Sequence, residues 1–201
     1  MLGRTEESSK CFERSASGYA KGMDLLKLGK YEEALQSLGE VAKLQDIVVH
    51  LNAIRLRLPI EIVNLFNTWC VRGVCLAKLE RYSKALQAFE ESIKLKPDDF
   101  TVWKFKGEAL ACLGRHEEAI LSFEMAIKIK PDIAEIWLKK GSSYLDLGKY
   151  EDALLSFEEA MRIDPDYADG WSMLGSIYAS LGRESDADHC FSKGRKLRED
   201  D

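Results

Sequence analysis

The sequence lacks the features that would place it in several special classes of protein. It has only 4 prolines in 201 residues, and 46% of its residues are hydrophobic and 31% charged, a balance that excludes collagen, mucin-like stalks and intrinsic disorder. It has no uncharged apolar run of the ~20 residues that span a bilayer, and its first residues are too polar for a signal peptide. We therefore expect a globular, cytoplasmic protein without a membrane segment.

Neither the cysteine pattern nor the charge balance indicates a special class of protein. The 5 cysteines are an odd number and form no CxxC pair, which favours reduced thiols over a disulfide framework. The net charge is -5, so the basic surface that a general nucleic-acid binder needs is missing. We expect no nucleic acid among the partners.

Catalytic motifs are missing as well. The sequence contains no HExxH, GxSxG, Walker loop or GxGxxG motif. His50, His116 and His189 are far apart in the chain, and no nucleophile or metal-ligand set converges on them. We predict that the chain is not an enzyme and has no catalytic residue, metal or cofactor.

What the sequence does contain is a repeat. Four tryptophans follow one another at intervals of 34 residues, and a glycine lies four residues after each of them. Alanines, phenylalanines and prolines recur at the same interval. These positions are Trp69, Trp103, Trp137, Trp171; Gly73, Gly107, Gly141, Gly175; Ala85, Ala119, Ala153, Ala187; Phe89, Phe123, Phe157, Phe191; and Pro97, Pro131, Pro165. A repeat of this regularity determines the whole fold.

The repeat divides the chain with no residue left for a separate domain. If tryptophan is position 4, the first copy is a weaker one, and the other four copies are contiguous. The five copies are 15–48, 66–99, 100–133, 134–167 and 168–201. Phe12 continues the helical spacing of Ala16, Tyr19, Met23 and Leu26, which predicts that residues 1–14 extend the first helix backwards. Residues 49–65 are an insertion between the first and second copies.

Each copy is predicted to be a helical hairpin. Two stripes of apolar residues at helical spacing are separated at position 15, which is glycine in four copies and glutamate in the other. These residues are Gly29, Glu80, Gly114, Gly148 and Gly182. Glycine at position 8 and alanine at position 20 allow the helices to approach closely, and phenylalanine at position 24 fills the adjacent space. The aspartate after the proline at position 32 is predicted to cap the next helix, and it is Asp98, Asp132 or Asp166.

These residues resemble the tetratricopeptide repeat, whose pattern contains W-x2-L-G-x2-Y, A-x3-F and P. The copy at 134–167 is nearly a consensus copy. Position 7 departs from the family, because Arg72, Lys106 and Lys140 stand where leucine is preferred. The resemblance implies an all-α fold, an α-solenoid in which five tandem helical hairpins form a right-handed superhelix. It also implies that the first helices line a concave groove.

The resemblance further implies a non-catalytic scaffold or adaptor that binds a protein or peptide segment in this groove. The family's groove positions fall on the first helices of copies two to five. The predicted groove residues are Cys70, Val71, Val74, Lys78, Lys104, Phe105, Glu108, Glu135, Leu138, Lys139, Leu145 and Met173.

The clamp that some relatives use for the carboxylate end of chaperone tails is not assembled here. Glu108 and Glu135 stand at positions where they would repel a terminal carboxylate. We therefore expect an internal, partly apolar segment as the ligand. This segment is predicted to be anchored by Phe105, Leu138 and Met173. It is predicted to be oriented by the charges of Lys104 and Lys139.

The insertion suggests a second possibility. Pro59 nearly bisects it, which predicts that the second helix of the first copy continues to about residue 57 and that the next helix begins near residue 60. This elongated hairpin either buries its own leucines and isoleucines or forms a partner surface. The alternative function is therefore a structural module that forms homodimers through 49–65.

The last copy differs from the others on one face of its second helix. Glu184, Asp188 and Arg195 replace residues that are mostly apolar in the preceding copies. The stripe that would otherwise contact a following repeat is therefore polar, as in capping repeats. We expect 168–201 to end the array.

Overall fold

A computed structural model describes residues 2–53 and 65–199, and within these residues there are ten α-helices and no strand. The helices are α1 (Leu2–Lys27), α2 (Tyr31–Ala53), α3 (Leu65–Lys78), α4 (Tyr82–Leu95), α5 (Phe100–Cys112), α6 (His116–Ile129), α7 (Ala134–Asp146), α8 (Tyr150–Ile163), α9 (Ala168–Ser180) and α10 (Glu184–Glu199). Each odd-numbered helix forms a hairpin with the helix that follows it. The all-α class and the tandem helical hairpins are confirmed.

The chain divides into two compact units between Asp98 and Asp99. In unit 1, α2 packs on both α1 and α3, and α3 packs on α4. In unit 2, each helix from α5 to α9 packs on its successor. Each unit is therefore a side-by-side stack of hairpins. None of the helices among the described residues is both long and apolar enough to cross a membrane.

The turn inside every hairpin has the same backbone conformation. Its middle residue has a positive φ: Gly29 (73°), Glu80 (58°), Gly114 (73°), Gly148 (70°) and Gly182 (72°). The next residue closes the turn, as where the Lys149 N–H donates to the Tyr144 carbonyl at 2.9 Å. This Schellman arrangement favours glycine, because a Cβ atom opposes the left-handed conformation. Glu80 is the one middle residue of these turns that carries such strain.

Replacing Glu80 with glycine is expected to raise the free energy of unfolding by about 1 kcal/mol, because glycine adopts this conformation without the Cβ penalty. Glu80→Ala is the matched control, since it removes the same exposed side chain but retains the Cβ atom. Urea denaturation of both variants measures the difference. Equal stability of the two variants would contradict a strained turn.

Within a hairpin, glycine at position 8 lies under the aromatic ring at position 24. A Cβ atom on Gly141 would lie 2.6 Å from Cε2 of Phe157, and one on Gly73 would overlap the ring of Phe89. The side chains of Phe89 and Phe157 are fully buried. The ring therefore sits directly against the glycine, whereas the sequence-based expectation paired the glycine with Ala153 and placed the ring beside them.

Gly141→Ala is expected to lower the free energy of unfolding by about 1 to 3 kcal/mol, because the added methyl overlaps the Phe157 ring. Gly39→Ala in α2 is the control, since a Cβ atom there meets nothing within 4 Å. At that site only the better helix propensity of alanine acts, a gain of up to about 1 kcal/mol. Thermal and urea unfolding of both variants test the contact, and a stabilised Gly141→Ala protein would refute it.

The cations at position 7 cover the tryptophan of the same copy. Cζ of Arg72 lies 4.6 Å from the centroid of the Trp69 ring, and Nζ of Lys140 lies 5.5 Å from that of Trp137. The Lys140 ammonium also lies 3.0 Å from Glu124 of α6, and 14% of its side chain is exposed. A cation held between a ring and a carboxylate stabilises the packing of α7 on α6. At Lys140 this accounts for the departure from the leucine that the family prefers.

The prediction that aspartates beside the prolines cap the following helices is wrong. The cap of α5 is the next aspartate, Asp99, whose carboxylate accepts the Thr101 N–H at 3.0 Å. α7 and α9 begin after Ile133 and Tyr167, and neither helix has a side-chain cap.

The ends and the insertion are described in part. α1 begins at Leu2 and α2 continues to Ala53. The predicted helix end near residue 57, the helix start near residue 60 and most of the proposed dimer surface lie outside the described residues. Glu184, Asp188 and Arg195 on α10 are exposed.

Candidate functional site

The predicted groove residues of unit 2 lie on its three first helices, α5, α7 and α9. They are Lys104, Phe105 and Glu108 on α5, Glu135, Leu138, Lys139 and Leu145 on α7, and Met173 on α9. We call this set the groove face of unit 2.

Two ion pairs connect α5 to α7 on the groove face. The lysine comes from α5 in one pair and from α7 in the other. Nζ of Lys104 lies 2.9 Å from Oε2 of Glu135, and Nζ of Lys139 lies 3.8 Å from Oε1 of Glu108. The Lys104 side chain is 16% exposed and that of Lys139 is 48% exposed. Both lysines that the sequence singled out as orienting charges thus have a carboxylate partner within the chain itself.

The apolar members of the groove face differ in how much surface they offer. Phe105 is half-buried, and the Lys104 ammonium lies 4.9 Å from the centroid of its ring. Leu145 and Met173 are half-buried and pack against the core of α7 to α10. Leu138 belongs to that core and is 8% exposed. Phe105, Leu145 and Met173 are therefore the side chains available to an apolar ligand.

The other four predicted groove residues lie on α3 in unit 1. Cys70 and Val74 are half-buried, and Lys78 is exposed. Val71 is 8% exposed and packs in the core cluster of unit 1 with Leu38. Like Leu138, Val71 has little surface left for a ligand.

At α9 the structure adds a contact that sequence reasoning missed. Nη2 of Arg198, near the end of α10, donates to Oγ of Ser172 at 2.6 Å and to Oδ1 of Asp169 at 3.1 Å. The first and last turns of one hairpin meet here, and the 34-residue pattern gives no signal for it because the other copies carry different residues at these positions.

Cys75 and Cys190 are buried cysteines. Burial is the main cause that raises the pKa of the Cys75 thiol to about 11, and burial also raises the pKa of Cys190, so both thiols stay protonated at neutral pH. Nδ1 of His116 lies 3.4 Å from Oδ2 of Asp146 without hydrogen-bond geometry. Among the described residues, no three His, Cys, Asp or Glu side chains are grouped to hold a metal ion.

The ion pairs on the groove face are open to a charge-swap test. Glu135→Lys places a second ammonium beside Lys104 and is expected to lower the free energy of unfolding by up to about 1 kcal/mol. Adding Lys104→Glu restores an opposite-charge pair and should recover most of the loss. Glu117→Lys, an exposed site on α6, controls for the change in net charge. Urea denaturation at low salt is the measurement, and failure of the double variant to recover would contradict the pair.

Comparison with known proteins agrees with this architecture. Residues 66–99, and also 102–133 and 168–201, match the tetratricopeptide repeat family, and residues 141–182 match a TPR repeat family. These matches together extend over more than half of the chain. No curated protein matches it in sequence.

Solved structures share the fold at low sequence identity. MamA 41-end from Desulfovibrio magneticus RS-1 has a TM-score of 0.79 and 21% identity, over 93% of this chain and 96% of that chain. A crystal structure of MamA has a TM-score of 0.76 and 18% identity, over 89% of this chain and 95% of that chain. Likeness at this level of identity concerns the fold alone.

Tandem helical hairpins of this kind define a class of proteins that bind other proteins through stacked repeats. The chain belongs to the tetratricopeptide repeat family. It is accordingly a protein-interaction module, and its expected partners are proteins.

Proposed function

We propose that the chain is a cytoplasmic scaffold or adaptor that binds an internal, partly apolar segment of a partner protein on its first helices. The observation that carries the proposal is the groove face of unit 2. There Phe105, Leu145 and Met173 offer partly exposed apolar surface beside two ion pairs. The α3 residues of unit 1, Cys70 and Val74, offer similar surface.

The charges favour an internal segment over a free carboxylate end. A carboxylate-binding clamp needs cations without partners, but Lys104 and Lys139 are paired with Glu135 and Glu108. A terminal carboxylate would have to break one of these pairs and would meet the displaced glutamate. An apolar segment covers the pairs without breaking them, and its side chains gain affinity from burial against Phe105.

Phe105→Ala is expected to weaken binding by about 1 to 2 kcal/mol, because aromatic anchors dominate the energetics of such interfaces. The partner is first captured from a lysate of the source organism by crosslinking, and its bound segment is mapped by mass spectrometry. Isothermal titration of the purified segment then compares the wild-type chain with the variant. Leu121→Ala is the control, since Leu121 on α6 is 61% exposed and lies on a second helix.

Three results would contradict the proposal. The first is an equal effect of the Phe105 and Leu121 variants on binding. The second is a mapped segment at the free C-terminus of the partner whose binding depends on its carboxylate. The third is a crosslinked site confined to the second helices.

A further inference from the structure

A pocket of about 370 Å³ lies between α8 and α10, with α9 as its base. Its floor is apolar, since Met161 (4% exposed), Leu174 (3%), Tyr178 (8%) and Cys190 (3%) line it with their buried side chains. The ring of Trp171 forms one wall. A concave site of this volume with an apolar lining has the dimensions of a small-molecule site.

The two carboxylates at the pocket already have partners. The hydroxyl of Tyr178 donates to Oε1 of Glu158 at 2.6 Å, and burial together with this bond raises the pKa of Tyr178 to about 12. Asp186 pairs with Arg183 at 2.7 Å. Asp186 is thereby balanced by a cation, whereas the neutral hydroxyl leaves the negative charge of Glu158 in place, and Arg183 offsets that charge only in part.

The arginine and the lysine that line the pocket have different partners. Arg162 pairs with Glu159 at 2.8 Å. The ammonium of Lys193 lies 3.9 Å from the centroid of the Trp171 ring, and it forms no ion pair with any residue that the structure describes. Lys193 is thus the one charged lining residue of this pocket that has an aromatic partner but no carboxylate among the described residues.

The preceding hairpin contains a cation of this kind that has both an aromatic and a carboxylate partner. Lys140 covers Trp137 at 5.5 Å and has the carboxylate of Glu124 at 3.0 Å. Glu158 occupies the same repeat position as Glu124, but the Tyr178 hydroxyl binds it. Position 7 of the last copy is Leu174, so the cation over Trp171 is Lys193 of α10. Unlike Lys140, Lys193 has no carboxylate partner among the described residues.

We propose that this pocket binds a small carboxylic acid with an apolar or aromatic body. The carboxylate pairs with Lys193, as Glu124 pairs with Lys140, and the body covers Met161, Leu174 and Cys190. A charge-assisted contact beside a buried apolar floor fixes both the orientation and the charge of the ligand. The site involves α8, α9 and α10, and none of its lining residues belongs to the groove face.

The probe for this proposal is 4-phenylbutyrate, and the reporter is the indole N–H of Trp171. That N–H donates to the Pro165 carbonyl at 2.7 Å, so its NMR signal reports on the pocket wall, and Trp171→Phe assigns it. We expect a saturable shift of this signal, with little change at the other tryptophans. The amine of the same length, 4-phenylbutylamine, is expected to bind at least about tenfold more weakly, since its charge is reversed.

Lys193→Gln is expected to weaken 4-phenylbutyrate about tenfold, because the charge-assisted contact is lost. Lys196→Gln on the same helix is the matched control, being exposed and outside the pocket. Circular dichroism checks that both variants retain the fold.

Each of the other outcomes overturns the proposal. Absence of a saturable Trp171 shift would show that the pocket binds no such acid. Equal binding of the amine would show a purely apolar site, and equal loss in the two lysine variants would show a general effect of surface charge.

Discussion

The contact between glycine at position 8 and the ring at position 24 is the constraint on which the rest of the structure depends. In each hairpin of unit 2, the nearest atoms to a Cβ on that glycine belong to a phenylalanine ring of the second helix. No other residue permits this separation of the helices, because any side chain would occupy the space of the ring. The hairpins of unit 2 therefore share one interior contact between their helices.

The junctions between the blocks are where the copies differ. Lys140 links α7 to α6 through Glu124, whereas Tyr178 links α9 to α8 through Glu158. A carboxylate at the same repeat position is thus satisfied by a cation in one junction and by a hydroxyl in the next. Because Tyr178 binds Glu158, Lys193 lies over Trp171 without an ion pair among the described residues. The junction of α8 and α9 therefore differs chemically from that of α6 and α7.

The local features of the fold were predictable from the sequence, and the pairings were not. A period of 34 residues identifies the hairpins, and position 15 marks their turns, because a positive φ selects glycine within a few residues of sequence. The cap of α5 was misplaced by one residue, since Asp98 and Asp99 are equally good caps and only backbone geometry distinguishes them.

The sequence likewise predicts the positions of the candidate groove residues but not their partners. Family positions identify which residues lie on the first helices, but they do not say that Lys104 and Glu135, which are 31 residues apart, form a pair. They also do not say that Val71 and Leu138 belong to the cores, because the depth of a side chain depends on the neighbouring hairpin.

These pairings change the physical basis of recognition on the groove face. An unpaired lysine attracts a ligand charge over a distance, while a lysine paired with a neighbouring glutamate presents a dipole whose field decays quickly. Lys104 is already largely withdrawn from solvent, with its ammonium over the Phe105 ring, so covering it costs little further desolvation. Selectivity at this face must then come from the shape of the apolar surface around Phe105 and Met173, and the charges serve chiefly to hold α5 and α7 in register.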